Sequence, residues 1–174
     1  QEVDYGQLKE SVRRFNHIAQ HKGTNLLNKQ VAIVQEEVNE VIDAMRCKDC
    51  VEILDGVCDV IYTCLRLEEL IVLAVMECEQ TEQALALHRV AYSLCAPVIA
   101  ASPEAVAEGF KRVCLNNDTK ISKEPLEGGT KRVYLGTNYW VRLNENGKVM
   151  KPWGFTPVDL TDLAQQHTPQ WSFL

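Results

Sequence analysis

Leu8, Val12, Phe15 and Ala19 recur at helical spacing, and they predict an amphipathic helix over residues 4–21. The stretch "HKGTN" breaks that pattern, and Thr24 or Asn25 is placed to cap a second helix running to Met45. "RCKDC" reads as a short connection. A third helix over 49–76 is apolar on nearly every side, with Val51, Ile53, Leu54, Val57, Cys58, Val60, Ile61 and Leu65, as expected of a buried helix. Ala84, Leu85, Leu87, Val90, Ala91 and Leu94 predict a fourth helix over 80–100. Ser102-Pro103 supplies an N-cap followed by proline at the first helical position, and "EAVAEGFKRVCLNN" continues it as a fifth.

After Lys120 the character changes. "SKEPLEGGTKR" has loop composition, with Pro125 and the pair Gly128-Gly129. "RVYLGTNYWVRLNENGKVMKPW" is rich in aromatic and β-branched residues, with an Asn-Glu-Asn-Gly turn between two short runs, a β-hairpin signal. The expectation is an all-α fold: a bundle of about five helices over 1–120, with a loop and short β-hairpin extension over 121–174 packed on the same domain.

A chain of 174 residues, 46% hydrophobic and 24% charged, is globular in balance and long enough for one sizeable core. A net charge of −6 provides no basic surplus for releasing counterions, which argues against binding a nucleic acid polymer. Seven irregularly spaced cysteines do not form a secreted disulfide framework and imply a reducing, cytoplasmic setting. Cys47 and Cys50 alone have a spacing with chemical meaning, and neither a second pair nor nearby histidines accompany them. The longest uninterrupted apolar run, "LIVLAVM" at 70–76, falls far short of the ~20 residues that cross a bilayer, and the N-terminus carries no signal-peptide pattern. No membrane partner is expected.

The acids change the picture. In "IVQEEVNEVIDA" Glu36, Glu37 and Glu40 straddle an otherwise apolar stripe, Glu36 and Glu40 lying about 40° apart around the helix axis. On the third helix Glu52, Asp55 and Asp59 fall within roughly 60° of one another. Packed antiparallel through "RCKDC", the two stripes can face each other. Neither helix offers lysine or arginine at matching positions, so the carboxylates either take up protons or share a hard cation such as Mg²⁺, which takes oxygen ligands together with substrate phosphates. Solvated surface acids are the plain alternative.

"EEVNE" followed by "DGVCDVIYT" resembles the all-α nucleoside triphosphate pyrophosphohydrolases, the superfamily of MazG-like enzymes, dimeric dUTPases and phosphoribosyl-ATP pyrophosphohydrolases. The early "RRFNHIA", then "VCLNNDTK" and "NGKVMKPWGFTPVD", resemble further elements of one branch, in the expected order over residues 12–160. The resemblance implies a MazG-like four-helix core and Mg²⁺-dependent cleavage of a nucleoside triphosphate to monophosphate and pyrophosphate, with Mn²⁺ able to substitute. It implies cation ligation by Glu36, Glu40 and Asp59, with Asp55 assisting, and a base or further ligand at Glu37. One departure stands out: the family's Glu in Glu-x-x-Asp falls on Gly56, where Asp55 or Glu52 could substitute.

On the same basis Lys120 stabilises the leaving pyrophosphate, with Lys148, Lys151 and Arg112 behind it, and Asn117 contacts sugar or phosphate. Phe15 and Asn16 are candidates for the base. Trp153 and Phe155 could stack on a base or anchor the tail, and anchoring is the expectation. A deoxypyrimidine such as dUTP or dCTP is the implied substrate, and a homodimer or dimer of dimers the implied assembly. The rival is a catalytically inactive nucleotide- or metal-binding module or sensor, motivated by Gly56; a purely structural bundle is the third possibility.

Overall fold

The computed structural model describes residues 4–19, 25–74, 79–167 and 171. It is mostly helical: α1 Tyr5–Ala19, α2 Leu26–Cys47, α3 Cys50–Leu73, α4 Glu79–Ala101 and α5 Pro103–Asp118, then β1 Ile121–Ser122, β2 Thr130–Tyr134 and β3 Thr137–Val141, then α6 Thr161–His167. The five predicted helices are present, and α6 is an addition. Thr24, His21, Met76 and Cys78 lie outside the described residues. Asn25 does flank α2, but with left-handed backbone (φ 68°) and no side-chain cap, so its predicted capping role does not hold.

Contacts divide the chain into two compact units, and the division does not follow the change in character after Lys120. One comprises 1–24 and 114–158, the other 25–113 and 159–174.

In the first unit the antiparallel sheet has the order β1-β3-β2, and α1 packs on β2 and β3. Ile18 of α1 is fully buried with Tyr134, Tyr139 and Val141, and Ile121, Leu143 and Val149 close the cluster. The Tyr134 hydroxyl donates to the Glu10 carboxylate. Midway along α1, Ser11 Oγ (2.8 Å) and Arg14 Nη2 (3.0 Å) both donate to Asp118 Oδ2, tying the helix to the C-terminal turn of α5.

The β2–β3 hairpin turns at Leu135-Gly136, one turn earlier than the Asn-Glu-Asn-Gly segment predicted it. Tyr134 pairs with Thr137, and both central residues have positive φ (46° and 79°), the signature of a type I′ turn. The predicted turn exists as a smaller feature. Asn144 Oδ1 accepts from the backbone N–H of Asn146 and Lys148, and a single bridge, Leu143 to Val149, closes it.

In the second unit α2 and α3 form an αα-hairpin with a two-residue link. Lys48 adopts left-handed backbone (φ 55°), and the N–H groups of Lys48 and Asp49 reach back to Met45 O and Ala44 O, the two bonds of a Schellman stop. Asp49 then starts α3, its Oδ1 accepting from Glu52 N at 3.1 Å. So short a link makes the helices antiparallel neighbours. Val34, Val38 and Val41 of α2 are buried in this unit, as are Ile53, Leu54, Val57 and Cys58 of α3. Gly56 marks the close approach: a Cβ there would lie 2.7 Å from Val41 Cγ2. Buried Gln30 donates from Nε2 to Thr63 O at 2.9 Å, a cross-helix bond that fixes the pairing.

α4 packs on α2 and α3 through Thr81, Ala84, Leu87, Ala91, Cys95 and Val98, one stripe at helical spacing. By length and composition α4 is apolar enough to cross a bilayer, although polar residues break it into short apolar runs. α6 packs on α3, and Trp171 Nε1 donates to Ser102 Oγ at 2.6 Å, both residues buried.

Candidate functional site

The helical period that buries Val34, Val38 and Val41 carries Glu37 to the edge of the same seam, where it is half-buried, while Glu36 and Glu40 on either side of it are exposed. On α3 the same logic leaves Asp55 half-buried between Leu54 and Gly56, both buried. The α2 and α3 acids interact. Burial pushes the Glu37 carboxyl up to about 7, and Glu40, through its charge and a side-chain hydrogen bond, then Glu36 and Asp55 push the same way. Asp55 is raised by burial first, then by the charges of Glu52 and Glu40. Glu37 Oε2 and Asp55 Oδ1 are buried oxygens with no hydrogen-bond partner. The nearby guanidinium groups on these helices are otherwise engaged, Arg46 with Asp43 and Arg66 with Glu69.

Two helices thus bring Glu36, Glu37, Glu40, Glu52 and Asp55 into electrostatic contact without a cation among them. Glu52 is the member that the carried-over ligand set leaves out, although the sequence put it on the same face as Asp55. Asp59, which that set includes, is half-buried one turn further along α3, its carbonyl accepting from Thr63 Oγ1 at 2.9 Å.

Among the described residues no three His, Cys, Asp or Glu side chains are grouped to hold a metal ion as they stand. The donor set still fits a hard divalent cation. Mg²⁺ is commonly held by one or two carboxylates, with water and substrate phosphate completing its shell, and the orphaned oxygens on Glu37 and Asp55 are polar atoms that such an ion, or the water it holds, would satisfy.

The first unit holds most of the remaining sequence-predicted residues. Lys120 Nζ donates to Asn117 Oδ1 at 2.9 Å. Lys120 Nζ and Lys151 Nζ each lie 5.5 Å over the Phe155 ring. Asn117, Lys120, Lys151 and Phe155 therefore form one group. Asn16 turns its amide inward, Nδ2 donating to Val12 O within α1 at 2.8 Å, and Phe15 is half-buried on the same helix. Trp153 is 95% exposed, so the expectation that it anchors the tail is wrong; Phe155 is half-buried.

Arg112, in the second unit, is spoken for. Its guanidinium forks onto Asp162 (2.6 and 2.9 Å), reaches Asp159 O at 3.2 Å and meets Glu108 Oε1 at 3.3 Å. The fork holds the Asp162 carboxyl down to about 2 and raises the guanidinium. Arg112 fastens the start of α6 to α5, an engagement beyond the phosphate contact expected of it. No local pattern signals this pairing, because Asp162 is fifty residues away in the chain.

Burial pushes the thiols of Cys64, Cys95 and Cys114 up to about 12, which keeps them protonated and inert at neutral pH, and Cys47 and Cys50 are free thiols. No model of a protein family, no curated protein and no solved structure matches this chain.

Proposed function

We propose that the protein is a Mg²⁺-dependent nucleoside triphosphate pyrophosphohydrolase, cleaving a deoxynucleotide, pyrimidine first, to the monophosphate and pyrophosphate. The observation that carries this reading is the carboxylate set on the α2–α3 hairpin, in which Glu37 and Asp55 each keep a buried oxygen without a partner. Structural acids of this kind normally acquire a lysine or arginine, and among the described residues none forms an ion pair with them.

Glu36, Glu40, Asp55 and Asp59 would hold the cation, with Glu52 close behind Asp55. A divalent ion bound there supplies neutralisation of the triphosphate charge and acidifies water. The chain's own residues do the rest. Glu37, with a carboxyl poised at about 7, is matched to proton transfer at neutral pH and takes the proton from the attacking water. The water oxygen bonds to the α-phosphorus as the bond to the bridging oxygen breaks, and pyrophosphate leaves with that oxygen. Lys120 is the cation that the resemblance assigns to the leaving group. The resemblance also implies a homodimer or dimer of dimers.

The test incubates the full chain with dUTP, dCTP, dTTP, dATP and GTP plus Mg²⁺ or Mn²⁺ and assays pyrophosphate. Turnover of at least one substrate is expected. Glu37→Gln and Glu40→Ala should each reduce it by at least a hundredfold with helicity unchanged. Absence of turnover from the folded protein on all five would sink the reading in favour of a nucleotide-binding module, the alternative that Gly56 in place of an acid favours.

A further inference from the structure

The segment after the sheet is organised in a way the hydrolase chemistry does not require. Met150 N donates to Arg142 O at 2.7 Å, closing the loop built on the Asn144 turn and setting Arg142 beside Met150. Five residues on, Phe155 N donates to Pro152 O at 3.1 Å, and Gly154 has φ 76°. That is a type II turn with Trp153 at its first central position and glycine at the second, where positive φ is required. Asn116 Nδ2 then bonds Thr156 O at 2.6 Å, pinning the chain beyond the turn to the end of α5.

The closed loop and the turn border an open surface cleft of about 440 Å³, lined by Arg142, Met150, Lys151, Trp153, Phe155 and Pro157 among others. This is within the size range of small-molecule sites, roughly 300–1,000 Å³. Its walls are aromatic and aliphatic, and its charges are all positive. Among the described residues neither Arg142 nor Lys151 makes an ion pair. Trp153, a large apolar side chain that is costly to leave in water, is 95% exposed there. The unit that contains the cleft carries eleven Lys and Arg against seven Asp and Glu, a formal +4 in a chain of −6.

From these features we infer that the cleft is the docking site for a single nucleoside phosphate, with the base stacked on the Trp153 indole and the phosphates met by Arg142 and Lys151. A guanidinium and an ammonium that make no ion pair among the described residues, beside a bare indole, answer a ligand that is flat and aromatic at one end and anionic at the other. A free nucleoside would leave the cations unused, and inorganic phosphate would leave the ring unused. The inference deepens the hydrolase reading, and it rests on that reading for the choice of nucleotide as probe.

The experiment titrates the full chain, in EDTA so that metal plays no part, with dTTP, dCTP, dATP and dGTP, with thymidine, with inorganic tripolyphosphate and with a single-stranded thymidine decamer. Calorimetry gives affinity and indole fluorescence reports stacking. At least one nucleotide is expected to bind tenfold or more tighter than thymidine or tripolyphosphate and to quench the fluorescence. Trp153→Ala should abolish the quench, and Trp153→Ala and Lys151→Glu should each weaken the nucleotide at least tenfold, with helicity unchanged.

Wild-type affinity in both variants, no nucleotide binding by the wild type, or a decamer bound more than tenfold tighter than any mononucleotide would overturn the assignment. Parallel pyrophosphate assays with Mg²⁺ separate the two ideas. Binding without hydrolysis leaves the cleft assigned and removes the hydrolase reading. Hydrolysis by Trp153→Ala with unchanged KM does the reverse.

Discussion

Glu37 is the residue on which the functional reading turns, and its environment makes a prediction about stability as well as chemistry. Its carboxyl is raised from an ordinary 4.5 to about 7, by burial first and by Glu40, Glu36 and Asp55 after that. Below about pH 4.5 the group is protonated in both the folded and unfolded chain and has no effect. Between there and about 7 the folded protein keeps a proton that the unfolded chain has released, so stability falls as pH rises. Above about 7 the loss is complete. Because solvent still reaches the group, the loss is about 1–2 kcal/mol, less than the full shift would imply. In EDTA, Glu37→Gln should match the wild type in urea unfolding at pH 4 and exceed it by that amount at pH 8. Parallel pH profiles for the two proteins would show that the carboxyl is not buried among its neighbours.

At the level of elements, the α2–α3 hairpin decides whether Gly56 marks a lost ligand or a packing requirement. Glycine inside a helix usually costs about 1 kcal/mol relative to alanine. Here a Cβ would meet Val41 Cγ2 at 2.7 Å, and Val41 is fully buried and β-branched, with little freedom to turn away. Overpacking should win, so Gly56→Ala is expected to destabilise by about 1–2 kcal/mol. The same change in a Val41→Ala background should cost nothing or stabilise. Equal effects in the two backgrounds would remove the packing argument and return Gly56 to the status of a missing acid.

Periodicity made α1 to α5 legible to within a few residues, because each has a strong apolar stripe. It also located the acid stripes, since angular position on a helix follows from sequence number alone. The β-hairpin was displaced because Leu135, an unusual residue for a left-handed turn position, hid the true reversal, while Asn-Glu-Asn-Gly advertised a smaller one. α6 is seven residues long, too short for a period to declare itself. The Arg112 ion pair and the exposure of Trp153 escape a sequence reading for a shared reason. Both depend on chain segments brought in by the tertiary fold, and no local pattern carries that information.

For the molecule as a whole, the charge is divided rather than spread. The unit containing α2, α3 and α4 carries seven Lys and Arg against seventeen Asp and Glu, a formal −10, while the other carries +4. Repulsion within the acidic unit opposes its compact state, and any added salt relieves part of that by screening. A specific site does more, because an ion bound only by the folded protein stabilises it by mass action, about 2.7 kcal/mol at a hundredfold excess over Kd. For a domain of this size each kcal/mol moves Tm by roughly 2–4 °C. MgCl2 should therefore raise Tm by about 5–10 °C beyond NaCl of equal ionic strength, and more at pH 8 than at pH 5.5, where protons hold the Glu37 carboxyl neutral. The double change Glu37→Gln with Asp55→Asn should leave the NaCl effect intact and remove the Mg²⁺ increment. If MgCl2 and NaCl at matched ionic strength shift the wild type equally, the acids of the hairpin form a diffuse negative surface, and the chemistry built on them has no site.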